Sequence, residues 1–124
     1  MRGVTDANTL IAHGANCTLS TNNVLNAFTP YGDCSLTRNA NLYANVVQRY
    51  GPQDLGVCFE MITERAAQAM RLGDYGIAVG KAADLVVWDA ASPADIVATC
   101  AVPLGFKRGR QIFTRLLPTL HRPY

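Results

Sequence analysis

The sequence predicts an α/β fold, and three features carry the prediction. Thr5-Asp6 opens an amphipathic run through Ala7, Leu10, Ile11 and Ala12. The short β-type stretch Cys17-Thr18-Leu19 follows and feeds at once into the polar group Ser20-Thr21-Asn22-Asn23. Helix, short strand, then polar loop is the order of one αβ step of an α/β barrel. Second, Leu36, Ala40, Tyr43, Val47 and Tyr50 recur at helical spacing and so share a face. Third, the period changes beyond Gly73, where Asp84-Leu85-Val86-Val87-Trp88-Asp89 is a β-branched run bounded by charges.

The elements follow in order. Thr5 or Asp6 caps the first helix and Gly14 stops it. After the loop through Phe28, Pro30, Tyr31 and Gly32, Asp33 serves as the N-cap of a long helix that Gly51-Pro52 ends. Residues 54–62 predict an apolar helix. Thr63 caps another over Glu64 to Arg71, whose small alanines allow close packing and which Leu72-Gly73 closes. Ser92-Pro93-Ala94-Asp95 is a strong helix start: a Ser cap, a proline at the first position and a carboxylate in the first turn. That helix covers Ala94 to about Ala98. Phe106 to Ile112 reads as a β-hairpin turning at Arg108-Gly109, and the proline-containing tail from Pro118 to Tyr124 as extended chain.

Composition narrows the class. The chain has 124 residues, 49% of them hydrophobic and 16% charged, enough apolar content for a packed core. A complete (β/α)8 barrel is excluded, since it takes about 250 residues. The net charge of +2 gives no reason to invoke nucleic acid or an anionic membrane. No apolar stretch is long enough to span a bilayer, and no apolar segment follows Arg2 as in a signal peptide. The four cysteines, Cys17, Cys34, Cys58 and Cys100, form no Cys-x-x-Cys pair, which argues against a zinc knuckle or a redox dithiol. A reduced, cytoplasmic protein is the simplest expectation, and it makes the glycosylation-like Asn16-Cys17-Thr18 a chance match.

Reactive groups are sparse. His13 falls in the last turn of the first helix, where an imidazolium suits the helix dipole, and His121 lies in the tail. Asp6 and Asp33 read as caps, Asp84 and Asp89 flank a strand, and Asp95 sits at a helix start, so no carboxylate pair is spaced for acid–base work. No nucleophile elbow, Walker loop or His-Glu-x-x-His occurs, and the glycines from Gly73 to Gly80 follow no phosphate-binding pattern. Trp88 reads as packing, Tyr43 and Tyr50 as core, and Lys107, Arg108 and Arg110 as a solvated basic turn. All eight asparagines precede residue 46, and three crowd the loop from Ser20 to Phe28. Two readings of that loop stand. Asparagine tolerates turn conformations; equally, amides beyond a strand can hydrogen-bond a small heterocycle while Phe28 stacks on it.

Ser20-Thr21-Asn22-Asn23-Val24 through Phe28, Tyr31 and Gly32 resembles the loop after the eighth barrel strand of cytosine-deaminase-like amidohydrolases, Gly-x-Asp-(Asp/Asn)-Val-x-Asp-Pro-(Trp/Phe)-x-Pro-x-Gly. The similarity continues through Ile62 to Leu72 and Asp74 to Asp89, the latter like the family's Gly-x-x-x-Gly-x-x-Ala-Asp-Leu entry into a small β-sandwich. It closes on the Phe106 to Ile112 hairpin, so that it runs in order from about Leu10 to Arg115. The resemblance implies the C-terminal part of a (β/α)8 barrel over residues 1–72, mostly helical here. Returning strands of the small β-sandwich then occupy 73–117 and a tail 118–124: an incomplete fold. It further implies hydrolysis of non-peptide C–N bonds, such as deamination of a cyclic amidine or nucleobase, with water activated by a divalent metal, zinc or iron.

Most of the family's metal ligands, a His-x-His pair, further histidines and a glutamate, are not in this chain. The resemblance puts Asn22 at the family's metal-binding and catalytic aspartate, Asn23 and Phe28 at substrate contacts, and Asn26-Ala27 where Asp-Pro is usual. An amide is a weaker ligand than a carboxylate and no proton acceptor at neutral pH. The expectation is therefore a portion that holds no metal tightly and is inactive alone, its partner the missing N-terminal barrel half or a second copy, its substrate a small heterocycle. The alternative is a non-catalytic module that binds a small molecule or a partner chain through exposed sheet edges.

Overall fold

The computed structural model describes residues 3–21 and 23–115. Asn22, His121 and the tail 118–124 lie outside the described residues. Among the described residues, five helices and one sheet are built in the order α1 (Ala7–Ala12), α2 (Leu36–Val46), α3 (Pro52–Glu60), α4 (Glu64–Ala69), β1 (Leu85–Trp88), α5 (Pro93–Thr99), β2 (Pro103–Lys107) and β3 (Arg110–Thr114). Among the described residues no helix is long and apolar enough to cross a membrane, and all four cysteines are free thiols.

The helices make the core. Met61, Cys58 and Val97 are fully buried and lie with Ala40, Tyr43 and Ala44 of α2, a cluster that ties α2, α3 and α5 together. Burying a side chain the size of Met or Val stabilises by about 1.5–3 kcal/mol, so these positions carry much of the fold. Alanines at 40 and 44 let the helices approach closely. Tyr43 reaches through the core to α1, where its hydroxyl donates to Asn8 Oδ1 at 2.9 Å and accepts from the Asn8 amide at 3.2 Å. Burial raises the Tyr43 phenol above its ordinary value, so it stays a neutral donor and acceptor.

Local capping explains most helix boundaries. Asp6 caps α1 and Gly14 follows it at a φ of +87°; His13 is the C-cap, its ring Nδ1 lying 2.8 Å from the Thr9 carbonyl. Ser92 caps α5 through the Asp95 amide, with Pro93 in the first turn. Ser35, not Asp33, caps α2: its hydroxyl accepts from the Arg38 amide at 3.2 Å, while Asp33 Oδ1 accepts from the Ser35 amide at 3.0 Å. Asp33 lies two residues ahead of the cap, and its carboxylate pairs with Arg115 at 2.7 Å.

Several expected boundaries move. Residues 54–62 shift to Pro52–Glu60, because Pro52 supplies the first turn. The following helix stops at Ala69 rather than Arg71, which takes a φ of +54°; Thr63 precedes that helix but makes no side-chain cap bond, its hydroxyl going to the Phe59 carbonyl at 2.8 Å. Helix α2 ends at Val46 and Gln48 turns to a φ of +57°. Tyr50 therefore falls beyond the helix and is exposed, not core, and Leu36 at the other end is also largely open. Cys17 to Leu19 has no strand partner among the described residues; it runs past α3, with the Leu19 amide donating to the Met61 carbonyl at 3.0 Å.

The strands form one antiparallel sheet in the order β1-β2-β3, with Leu85 opposite Phe106 and Lys107 opposite Arg110. Arg108 and Gly109 both take positive φ, 49° and 76°, the two-residue turn whose twist matches paired strands. Asp84 locks this hairpin: it pairs with Lys107 and accepts from the Arg108 amide at 2.8 Å, while the Gly109 amide reaches Ala83. Lys107 is thus engaged rather than only solvated. Trp88 packs edge-on against Phe59 of α3, ring centres 5.6 Å apart, and so joins sheet to helices.

Candidate functional site

The loop between Thr21 and Asp33 is folded by its own side chains. Asn26 Oδ1 accepts from the amides of Phe28 and Thr29, both at 3.0 Å, and its amide nitrogen donates to Asn23 Oδ1 at 2.8 Å. The Thr21 hydroxyl donates to the Asn23 carbonyl at 3.1 Å. At the far end Gly32 sits at a φ of +115°, and a Cβ there would press Val24 at 3.3 Å. The positive φ is what favours glycine there; the Val24 methyl would have to give by only a few tenths of an ångström.

Folded in this way, the loop and the first turns of α2 enclose a cavity of about 180 Å³, walled in part by Thr21, Asn23, Tyr31, Asp33, Arg38 and Asn39. Its wall mixes amide and hydroxyl groups with the apolar Val24 and Leu42 and the Cys34 thiol, and carries one carboxylate and one guanidinium that face each other at 3.8 Å. Asn23 is therefore in the cavity wall. Phe28 is not; the residue is 82% exposed and stands outside the lining. A wider, open depression beside α4, between Glu64, Arg71 and Tyr75, lies away from this loop.

Three of the carboxylates are committed to structure. Asp33 is held below the usual carboxylate range by Arg115, by the Ser35 amide and by Arg38. Asp6 is lowered by the Thr9 hydroxyl and by Arg49, with which it pairs at 2.6 Å. Asp84 is lowered by Lys107 and the Arg108 amide. Burial pushes the Cys58 thiol up to about 11. Among the described residues no three His, Cys, Asp or Glu side chains converge to hold a metal ion. The residues described do not, by themselves, fit a metal centre; Asn22, where the resemblance expects the ligand, lies outside them.

The amide-lined cavity is only half visible in the sequence. Asn23 carries the signal through its place after a strand-like stretch, whereas Arg38 and Asn39 belong to the next helix and are brought in by the turn at Gly32 and Asp33.

Comparison with known proteins gives a consistent picture. A sequence model of the amidohydrolase family matches residues 1–113. The chain is 32% identical over 85 residues to N-isopropylammelide isopropyl amidohydrolase of Pseudomonas sp. (strain ADP), covering 68% of this chain and 21% of that protein. It superposes on 5-methylcytosine deaminase of Klebsiella pneumoniae, liganded with 5-fluorocytosine, with a TM-score of 0.83 and 26% identity, over 97% of this chain and 30% of the deaminase. N-isopropylammelide isopropylaminohydrolase of Burkholderia multivorans gives a TM-score of 0.64 at 30% identity, over 71% of this chain and 23% of that one. The chain thus spans less than a third of each of these relatives.

Proposed function

Because the chain belongs to the amidohydrolase family, we propose that it is the C-terminal portion of a hydrolase acting on non-peptide C–N bonds, of the kind that deaminates a cyclic amidine or nucleobase, and that it is inactive alone. The carrying observation is the pairing of a near-complete superposition of this chain with its coverage of only 30% of the deaminase. In this reading residues 1–72 are the last αβ step and trailing helices of a (β/α)8 barrel, 73–117 the returning strands of a small β-sandwich, and 118–124 a tail. The stretch from Cys17 to Leu19 supports it: the Leu19 amide bonds to Met61 rather than to a strand, as fits a barrel strand whose neighbours come from elsewhere in the protein.

The family is generally metal-dependent, and the described residues offer no metal centre of their own. What this chain contributes is the amide-lined cavity: Asn23, oriented by Asn26, offers hydrogen bonds to a small heterocycle, and Thr21 and Asn39 add neutral polar groups around it. The partner is the preceding barrel portion. Four free thiols suit a reducing, cytoplasmic setting.

The test is a chimera in which this chain replaces the matching segment of the Klebsiella pneumoniae deaminase, assayed for ammonia release from 5-methylcytosine. The chimera folds and binds the base. Its Asn22→Asp form releases ammonia faster, by about a hundred-fold, the scale of one acid–base group. A folded chimera that binds no base in either form contradicts the proposal. A second reading, a non-catalytic module that docks through its sheet edges, draws on β3, all five of whose residues are exposed; a chimera that fails to assemble while the chain alone forms a stable dimer would favour it.

A further inference from the structure

The candidate loop is gripped from outside by the end of the last strand, and we propose that Arg115 is a positioning residue that sets the cavity's shape by clamping Asp33. The proposal rests on the reading above only in taking this cavity as the substrate side. Arg115 Nη1 donates to Asp33 Oδ2 at 2.7 Å and Nη2 to the Asp33 main-chain carbonyl at 2.8 Å, from 82 residues further along the chain. A side-chain ion pair alone would fix only the carboxylate. The second contact fixes the backbone, at the point where the loop turns into α2.

The clamp has a firm base and a defined load. The Arg115 amide donates to the Pro103 carbonyl at 3.3 Å, so the residue is anchored on β2 as well as on its own strand. On the other side, Asp33 Oδ1 receives the Ser35 amide at 3.0 Å, and Ser35 caps α2. Sheet, loop and helix are therefore linked through one carboxylate. Asp33 and Arg38 both wall the cavity, and Gly32, immediately before the clamp, closes against Val24. The planar guanidinium reaches the two acceptors with separate nitrogens held in a fixed fork, whereas a lysine brings the same charge on one freely rotating nitrogen. The charged and titratable groups around Asp33 are Arg115 from the end of β3, Arg38 from α2 and the Cys100 thiol at the end of α5.

The experiment uses the full 124-residue chain and its Arg115→Gln, Arg115→Lys and Asp33→Asn variants, read by carboxyl NMR titration and amide hydrogen exchange. In the parent protein Asp33 titrates below the ordinary carboxylate value. In Arg115→Gln its midpoint moves up while that of Asp84, held by Lys107, stays in place. Exchange at the Ser35 and Thr29 amides quickens about five-fold, the scale of a half-exposed charged contact, with Met61 and Val97 unchanged. Arg115→Lys restores part of the titration shift but not the exchange protection. Should Arg115→Gln fail to fold, the parent protein carries the test, because the protection factor of its Thr29 amide, corrected for the pH dependence of intrinsic exchange, must fall as Asp33 protonates and releases Arg115. An unmoved Asp33 midpoint, or exchange that rises equally in the core, overturns the clamp. None of these readouts involves hydrolysis, so an inactive chimera leaves this result standing and a null result here leaves the chimera's standing.

Discussion

Asn26 organises its loop with a single side chain, taking the amides of Phe28 and Thr29 and steering Asn23 into the cavity wall. An aspartate would accept the same two amides but could not donate to Asn23. At this position, then, an amide does what a carboxylate cannot. Of the two sequence readings of the asparagines, the turn-forming one describes Asn26, while Asn23 stands in the cavity wall. Thiol chemistry offers a test of packing at the same scale. Cys34 and Cys100 are exposed, whereas Cys58 is fully buried and its thiol is pushed up to about 11. The thiolate is the reacting species, so a native-state alkylation series modifies Cys34 and Cys100 first and Cys58 only on unfolding. Modification of Cys58 at the rate of Cys34 would show that the α2–α3–α5 core is not packed as described.

At the scale of elements, the sequence is most readable where a signal is local. Ser92-Pro93-Asp95 and Arg108-Gly109 contain their own instructions, and the helix and hairpin stand where they point. Ser35 rather than Asp33 caps α2, and the partner that Asp33 takes instead, Arg115, lies 82 residues away, where no local pattern reveals it. Tyr50 keeps the helical period of its face, but the helix has already ended before Gln48. The central strand depends on a contact the sequence hides too: Gly105 faces Phe113, whose ring lies where a Cβ would stand. Replacing Gly105 by alanine displaces that ring and costs about 1–3 kcal/mol, the usual range for overpacking. Urea unfolding of Gly105→Ala checks this, and an unchanged midpoint would mean the ring is free to leave.

On the scale of the whole molecule, fold and family are legible because the resemblance runs in order along the chain, and residues 1–113 match the family. The division of labour inside the site is less so. Asp6 and Asp33 read as caps in sequence and Asp84 as the flank of a strand, yet each is also bound to a basic residue that tertiary structure supplies. With those carboxylates engaged, the described residues supply hydrogen-bonding groups around a cavity and no cluster of metal ligands. The most direct test is metal stoichiometry of the 124-residue chain after equilibration with zinc and exhaustive dialysis. The account predicts well under one ion retained per chain; one tightly held zinc per chain, with chelator-sensitive ammonia release from cytosine, would contradict it.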